Sequence, residues 1–447
     1  MSDRSFPRRL TPVRLLVMGF ASVILVGAVV LTLPVSSARG TFTSPVDALF
    51  TATSAVCVTG LIVVNTASHW STFGKAVILL LIQAGGLGIM TIATGHALVT
   101  GRRVGLWERM AIQEQTGFWT LQGLVLLVKR IILATALFES VGALILALVF
   151  RFSGGLPVGE SIWFGLFHSV SAFCNAGFDI TGRSFVDFVD NATLVLTVTS
   201  LIIAGGIGFH VLVDLYQTRG RFREMKLHSK IVIKTTFWLL LAGTVLALLL
   251  EHGNPGTMGN LDAKGKILAS WFLSVTPRTA GFNTVPTEAL RTATAFVVIL
   301  LMFVGASPGG TGGGIKTSTF AILARSVIGF VRREADVTFG GRRIPESAVM
   351  KAVVIFAVAL GLVITSTLVL CVTEEAEFLD ILFEVVSAFG TVGLSRGITG
   401  NLTMAGKLTL ILTMFAGRVG PLTLAMALST PRPSADIKYP EEKVSVG

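Results

Sequence analysis

The chain has 447 residues, 52% of them hydrophobic and only 14% charged, with a formal net charge of +11 and a mean hydropathy of +0.78. A soluble domain carries about 25% charged residues, so a soluble enzyme or binding module is excluded and lipid is the implied solvent. The excess positive charge is dealt out between apolar runs, a placement that argues for membrane topology and against a nucleic-acid partner.

Long apolar segments are expected near 13–33, 75–99, 125–150, 192–215, 231–250, 292–325, 349–372 and 404–429. Each has the roughly 20 residues that cross a ~30 Å hydrocarbon core. The basic N-terminus and the run from Val13 to Leu33 mimic a secretory signal, but the run is too long and no small-residue cleavage site follows. It reads as the first membrane helix. Between the members of successive pairs lie shorter apolar stretches, near 46–57, 160–174, 264–276 and 377–389. They are too short to span and suit re-entrant helices. Irregular backbone at membrane depth survives only where it lines a protein-enclosed or watery cavity, so four such segments imply an axial pore. The expected fold is an all-α integral membrane protein: eight transmembrane helices as four pseudo-repeated helix–pore-loop–helix units around that pore. The units run 1–100, 101–218, 219–333 and 334–447.

Basic residues gather in alternate connections: Arg4, Arg8, Arg9 and Arg14; Arg102, Arg103, Arg109, Lys129 and Arg130. Further on come Arg219, Arg221, Arg223, Lys226, Lys230 and Lys234, then Arg325, Arg332, Arg333, Arg342, Arg343 and Lys351. The intervening connections hold acids: Glu160, Asp179, Asp187 and Asp190, then Glu374, Glu375, Glu377, Asp380 and Glu384. The positive-inside rule sets the basic loops and both termini in the cytoplasm. Cys57, Cys174 and Cys371 are odd in number and lie in apolar surroundings, so they read as buried small hydrophobes without a disulfide framework.

Internal repetition sharpens the pattern. Gly60, Gly177, Gly281 and Gly393 are spaced 117, 104 and 112 residues apart. Each precedes a large apolar residue, and ten positions before each stands an aromatic: Phe50, Phe167, Trp271 and Phe383. Six positions before stand Ser54, Ser171 and Ser387, with Val275 breaking the set. The later segments repeat too: Gly85-Gly86-Leu87-Gly88, Gly205-Gly206-Ile207-Gly208 and Gly417-Arg418-Val419-Gly420.

A filter that strips water from a large monovalent cation must return oxygen ligands, and rings of backbone carbonyls do so. Turning those carbonyls to an axis requires backbone angles that glycine tolerates best. The quartets Val58-Thr59-Gly60-Leu61, Asn175-Ala176-Gly177-Phe178, Thr279-Ala280-Gly281-Phe282 and Thr391-Val392-Gly393-Leu394 meet this need and carry no charged side chain. Each preceding short helix would aim its carboxyl end, worth about half a negative charge, at the cation. Asp47, Glu160 and Asp380 stand near the outer starts of three of them.

The run Gly305-Ala306-Ser307-Pro308-Gly309-Gly310-Thr311-Gly312-Gly313-Gly314-Ile315-Lys316-Thr317 cannot hold a helix. It fails as a phosphate-binding loop, because Ile315 separates Gly314 from Lys316 and no strand precedes it. Its Ser307, Thr311 and Lys316 are expected to face a water cavity. Arg418 is a cation inside an apolar segment, hence functional or paired with a carbonyl or an acid such as Glu114. Arg278 reads as a brace or rim residue. His96, His168 and His210 lack metal-ligand spacing and read as packing groups. No catalytic constellation is present.

On the quartets and on the segments Ala306–Lys316 and Phe415–Thr423, the chain resembles the Trk/Ktr/HKT superfamily of cation transporters over essentially its whole length, and within it the Ktr membrane subunits. Related TrkH subunits usually carry two extra N-terminal helices, and this sequence starts directly at the first unit, which favours the Ktr branch. The resemblance implies a potassium-selective conducting subunit in the plasma (inner) membrane, with potassium held only at the filter quartets and no bound cofactor. It makes 305–316 an intramembrane gate loop and Arg418 its electrostatic companion. It further implies a homodimer on a cytoplasmic ring of RCK-type nucleotide-binding regulatory subunits (KtrA type), through which nucleotide effects arrive. The connections 100–130 and 215–234 and the C-terminal tail are the expected docking surface. Some members with Ser at the first anchor pass sodium; Gly60 favours potassium, and sodium modulation stays open. The competing reading is a secondary transporter coupling potassium to sodium or protons. Such folds show inverted repeats and midplane acids, whereas here the units share one orientation and Glu139 is the main intramembrane acid.

Overall fold

The computed structural model describes residues 11–88, 91, 110, 124–428, 440 and 442. The expected helix beyond Gly88 and the sequence candidates Arg4, Arg8, Arg9, His96, Arg102, Arg103, Arg109 and Glu114 lie outside them. So do most of the 100–130 connection and nearly all of the C-terminal tail.

The first stretch holds α1 (Pro12–Thr32), the short α2 (Pro45–Val56) and α3 (Thr72–Leu87). Next come α4 (Leu124–Phe152), the short α5 (Val158–Phe173), and α6 (Ala192–Gly206) with α7 (Phe209–Gln217). They are followed by α8 (Leu227–Glu251), the short α9 (Ala263–Val275), α10 (Thr292–Phe303) and α11 (Thr317–Val331). Last are α12 (Glu346–Thr373), the short α13 (Phe378–Gly390), α14 (Met404–Val419) and α15 (Pro421–Leu428). A two-stranded hairpin, Thr338–Phe339 against Arg342–Arg343, joins α11 to α12. Side chains of Ser71, Asn191, Asp262 and Thr403 accept backbone amides at the starts of α3, α6, α9 and α14, satisfying donors that a helix end leaves open.

Among the described residues, α1, α4, α8 and α12 are each long and apolar enough to cross a membrane, and two bent pairs raise the number to six. α3, α10 and α11 are apolar but shorter. The expected uninterrupted segments at 192–215 and 404–429 are broken instead. α6–α7 and α14–α15 each bend by 96°. The breaks fall where Gly208 and Gly420 take φ of +94° and +97°, a left-handed backbone that ends a helix. The segment at 292–325 is interrupted by the glycine-rich loop, as its composition requires.

The short helices are buried by aromatic side chains. Phe50, Phe167, Phe173, Phe272, Phe383 and Phe389 are all under 2% exposed. What lets neighbouring backbones reach them is glycine. A Cβ on Gly85 would lie 1.9 Å from Val56 O, one on Gly205 1.8 Å from Phe173 O, and one on Gly417 2.0 Å from Phe389 O. In each case the first glycine of the repeated motif rests on the last turn of a short helix.

Gly205→Ala is expected to destabilise by at least the ~1–3 kcal/mol typical of overpacking, seen as a lower thermal unfolding midpoint of the purified protein. Gly361→Ala, where an added Cβ meets open space and a helix interior favours alanine, should not lower the midpoint.

Candidate functional site

The four anchor glycines meet. A Cβ on Gly60 would be 2.5 Å from Ala176 O, on Gly177 2.7 Å from Ala280 O, on Gly281 2.3 Å from Val392 O, and on Gly393 2.1 Å from Thr59 O. Each glycine therefore lies against the second residue of the next quartet, and the sequence of contacts closes on itself. Within every quartet the first and third residues are left-handed: Val58, Asn175, Thr279 and Thr391 at φ +51° to +70°, and the glycines at +68° to +93°. The side chains of Leu61, Phe178, Phe282 and Leu394 are buried.

Hydrogen bonds hold the quartets from behind. The amides of Thr59, Ala176, Ala280 and Val392 donate to carbonyls of Ser54, Ser171, Thr276 and Ser387 at 2.8–2.9 Å. Ser54 and Ser387 hydroxyls accept the amides of Gly60 and Gly393, each at 3.0 Å. The Ser171 hydroxyl instead donates to Phe178 O at 2.9 Å. Where Val275 breaks the serine pattern, Thr276 takes the same role and donates to Phe282 O at 2.5 Å. That substitution is shifted by one position, which a fixed-spacing comparison passes over.

The ring separates two cavities. One, of ≈ 320 Å³, is lined by all four anchor glycines together with Asp179, Ser395 and Thr399. The other, of ≈ 290 Å³, is lined by Gly310, Gly312, Gly314, Lys316 and Arg418. Asp179 accepts hydrogen bonds from His168, Thr181, Gly182 and Ser184. Burial opposes its charge, but these donors outweigh burial and draw its pKa from 3.8 down to about 2. His168 is the satisfied packing group expected, with Phe164 O at 2.7 Å and Asp179 at 2.9 Å. His210 lies edge-on to His228, ring centroids 6.0 Å apart. Asp47, Glu160 and Asp380 stand in the first turns of α2, α5 and α13. Asp47 pairs with Lys407 at 2.8 Å and Asp380 with Arg396 at 2.5 Å. Glu384, fully buried and bonded to Ser395 and Thr399, had no motif to mark it.

The 305–316 loop packs directly on the ring. The Gly313 amide donates to Thr391 Oγ1 at 2.9 Å, and a Cβ on Gly312 would overlap Thr279 Oγ1. Ser307 and Thr311 amides donate to Gly206 O and Gly205 O, while Phe209 N–H donates to Gly309 O. Ser307 and Thr311 do not face a water cavity as expected. Both are fully buried, because Ser307 Oγ bonds Thr317 Oγ1 at 2.8 Å and Thr311 Oγ1 reaches Phe173 O at 3.3 Å. Lys316, which donates to Gly312 O at 2.7 Å, does line the cavity. The Arg418 guanidinium donates to Thr311 O, Gly85 O and Gly86 O, joining the loop to α3. Arg278 is a brace, reaching Gly305 O at 3.4 Å. Glu139 meets Gln83 at 3.2 Å. Cys57 and Cys174 are buried as expected. Cys371 is exposed on α12, because its position on that long apolar helix faces outward.

A chain of several membrane-length helices around a closed backbone ring has the architecture of a membrane transport protein. The family profile for TrkH, a cation transport protein, matches residues 7–438, and the chain belongs to that family. It is 41% identical to the Ktr system potassium uptake protein B of Bacillus subtilis, over 98% of this chain and 97% of that protein. It is 39% identical to the potassium/sodium uptake protein NtpJ of Enterococcus hirae, over 98% of each. Its fold matches the crystal structure of the potassium transporter TrkH from Vibrio parahaemolyticus with a TM-score of 0.73 at 19% identity, covering 96% of this chain and 86% of that one.

Arg418→Gln removes charge-assisted bonds worth ~1.5–3 kcal/mol each. Amide hydrogen exchange at Thr311 and Gly313 should speed up by about tenfold or more, with Ala280 unchanged. Asp179, whose folded pKa lies below its ordinary value, stabilises the fold fully above about pH 4 and loses this as pH falls toward 2. The difference in unfolding midpoint between wild type and Asp179→Asn should shrink as pH falls below 4.

Proposed function

We propose that this chain is the potassium-selective, ion-conducting membrane subunit of a Ktr-type uptake system. One observation carries the reading: four glycines, one from each pseudo-repeat, close a ring in which every amide of the second position is tied outward to a short helix. Carbonyls so arranged are free to serve a dehydrated cation on the axis. The four quartets, Val58–Leu61, Asn175–Phe178, Thr279–Phe282 and Thr391–Leu394, form the filter, and the units 1–100, 101–218, 219–333 and 334–447 each supply one wall. Eight membrane-crossing segments are reached when the two bent pairs, the loop-interrupted pair α10–α11 and the short α3 are each taken as one span.

The loop Gly305–Lys316 is the gate and Arg418 its latch. Support comes from its place against Thr279 and Thr391 at one end of the ring and from the arginine bridge to Gly85. Conduction is driven by membrane potential, at ~2.3 kcal/mol per charge per 100 mV. By likeness to relatives named for a Ktr system, the subunit works as a homodimer on a cytoplasmic RCK-type nucleotide-binding ring of the KtrA type, with its termini in the cytoplasm and its spans in the plasma membrane. The potassium/sodium uptake relative is the reason to include sodium in every flux assay.

Reconstituted wild type is expected to take up potassium in preference to sodium. Gly60→Ser and Gly281→Ser, which force a side chain onto Ala176 O and Val392 O, should lower that preference. Unaltered flux in both variants would return the chain to the coupled-transporter reading. Trimming Gly309–Gly314 should raise flux and spare selectivity; flux that stays at the wild-type level sinks the gate assignment.

A further inference from the structure

Behind the loop, away from both large cavities, α6, α8, α9 and Ala306 enclose a space of ≈ 20 Å³. Its walls are apolar, with Ile202, Ile207 and Leu240 among them, and its polar side chains are Thr236 and Arg278. These two are 8% and 7% exposed. Thr236 Oγ1 and Arg278 Nη1 have no hydrogen-bond partner among the described residues. The other terminal nitrogen of the same guanidinium reaches Gly305 O at 3.4 Å, at the root of the loop, and Thr279 of the ring follows Arg278 directly.

Two buried polar groups facing one small space are costly unless a third body serves both. One water needs roughly 10–15 Å³, so this space takes one molecule and no more. A halide-sized anion is disfavoured, because the walls include the carboxyl ends of α6 and α9 (Gly206, Ile207, Val275), where the helix dipole is negative. A neutral ligand that both accepts from the guanidinium and bonds the hydroxyl fits. We propose that Thr236 and Arg278 hold a single water here, and that this Arg278–water–Thr236 link is a positioning element that pins the root of the 305–316 loop to α8. The inference rests on reading that loop as the gate. Thr236 then acts on ion flow without touching the ion path.

The test uses the full chain in three measurements. A high-resolution density map should show one water within hydrogen-bond distance of Arg278 Nη1 and Thr236 Oγ1. That water should be absent from Thr236→Val. In proteoliposomes, Thr236→Val should raise potassium flux by about threefold to tenfold, the population shift of one net hydrogen bond, with the potassium/sodium preference unchanged. Thr236→Ser should restore the wild-type flux. In a chain trimmed at Gly309–Gly314, Thr236→Val should change nothing further. If trimming raises flux but Thr236→Val alone does not, the link is overturned while the gate stands. If trimming has no effect, it is the gate reading that fails, and the wild-type map still decides the water. An anomalous peak at this position from crystals soaked in sodium bromide, or a wild-type map without density there, also overturns the proposal.

Discussion

Backbone lies on backbone at the centre of this protein, with no room for a single methyl group. Gly85, Gly205 and Gly417 rest on carbonyls of Val56, Phe173 and Phe389, at the ends of three short helices. The anchor glycines rest on carbonyls of the neighbouring quartet. The short helices are too brief to be stable alone, so their direction is set by what packs against their last turns. Remove the close approach and the helix ends drift, and with them the carbonyls that hold the amides of Thr59, Ala176, Ala280 and Val392 from behind. The aromatic layer around Phe50, Phe167 and Phe383 supplies bulk. The glycines supply registration.

The third quarter of the chain departs from this scheme, and the departure makes the loop. Where α6–α7 and α14–α15 each bend at one glycine, 304–316 runs as irregular backbone whose amides must be met elsewhere. They are met by Gly205 O and Gly206 O of α6 and by Thr391 of another quartet. The loop thereby borrows the orphan carbonyls of a helix end and a hydroxyl of the ring itself. Its conformation and that of the ring are held by shared bonds, and Arg418 adds a third tie to α3.

Much of this was legible in the residues. The anchor spacing, the short helices and the glycine-rich interruption each follow from composition and periodicity. Other features were hidden for physical reasons. The breaks at Gly208 and Gly420 interrupt segments apolar on both sides, so hydropathy runs through them unchanged. Val58, Thr279 and Thr391 are β-branched, the poorest candidates for a left-handed backbone, and only the packing around them makes it affordable at about 1–3 kcal/mol each. The order in which the quartets touch is a tertiary fact. Ser307 and Thr311 look like pore-facing hydroxyls until their partners are seen, and Thr236 belongs to no motif at all.

Asp179 lines the cavity that the four anchor glycines share, with both oxygens already occupied. Five donors converge on it, from His168 and from the Thr181, Gly182 and Ser184 turn, against the roughly four lone-pair sites a carboxylate offers. Such a group keeps its charge yet has no open coordination position. A divalent ion that favours chelation therefore finds no free carboxylate oxygen on Asp179 and gains no foothold there over a monovalent one.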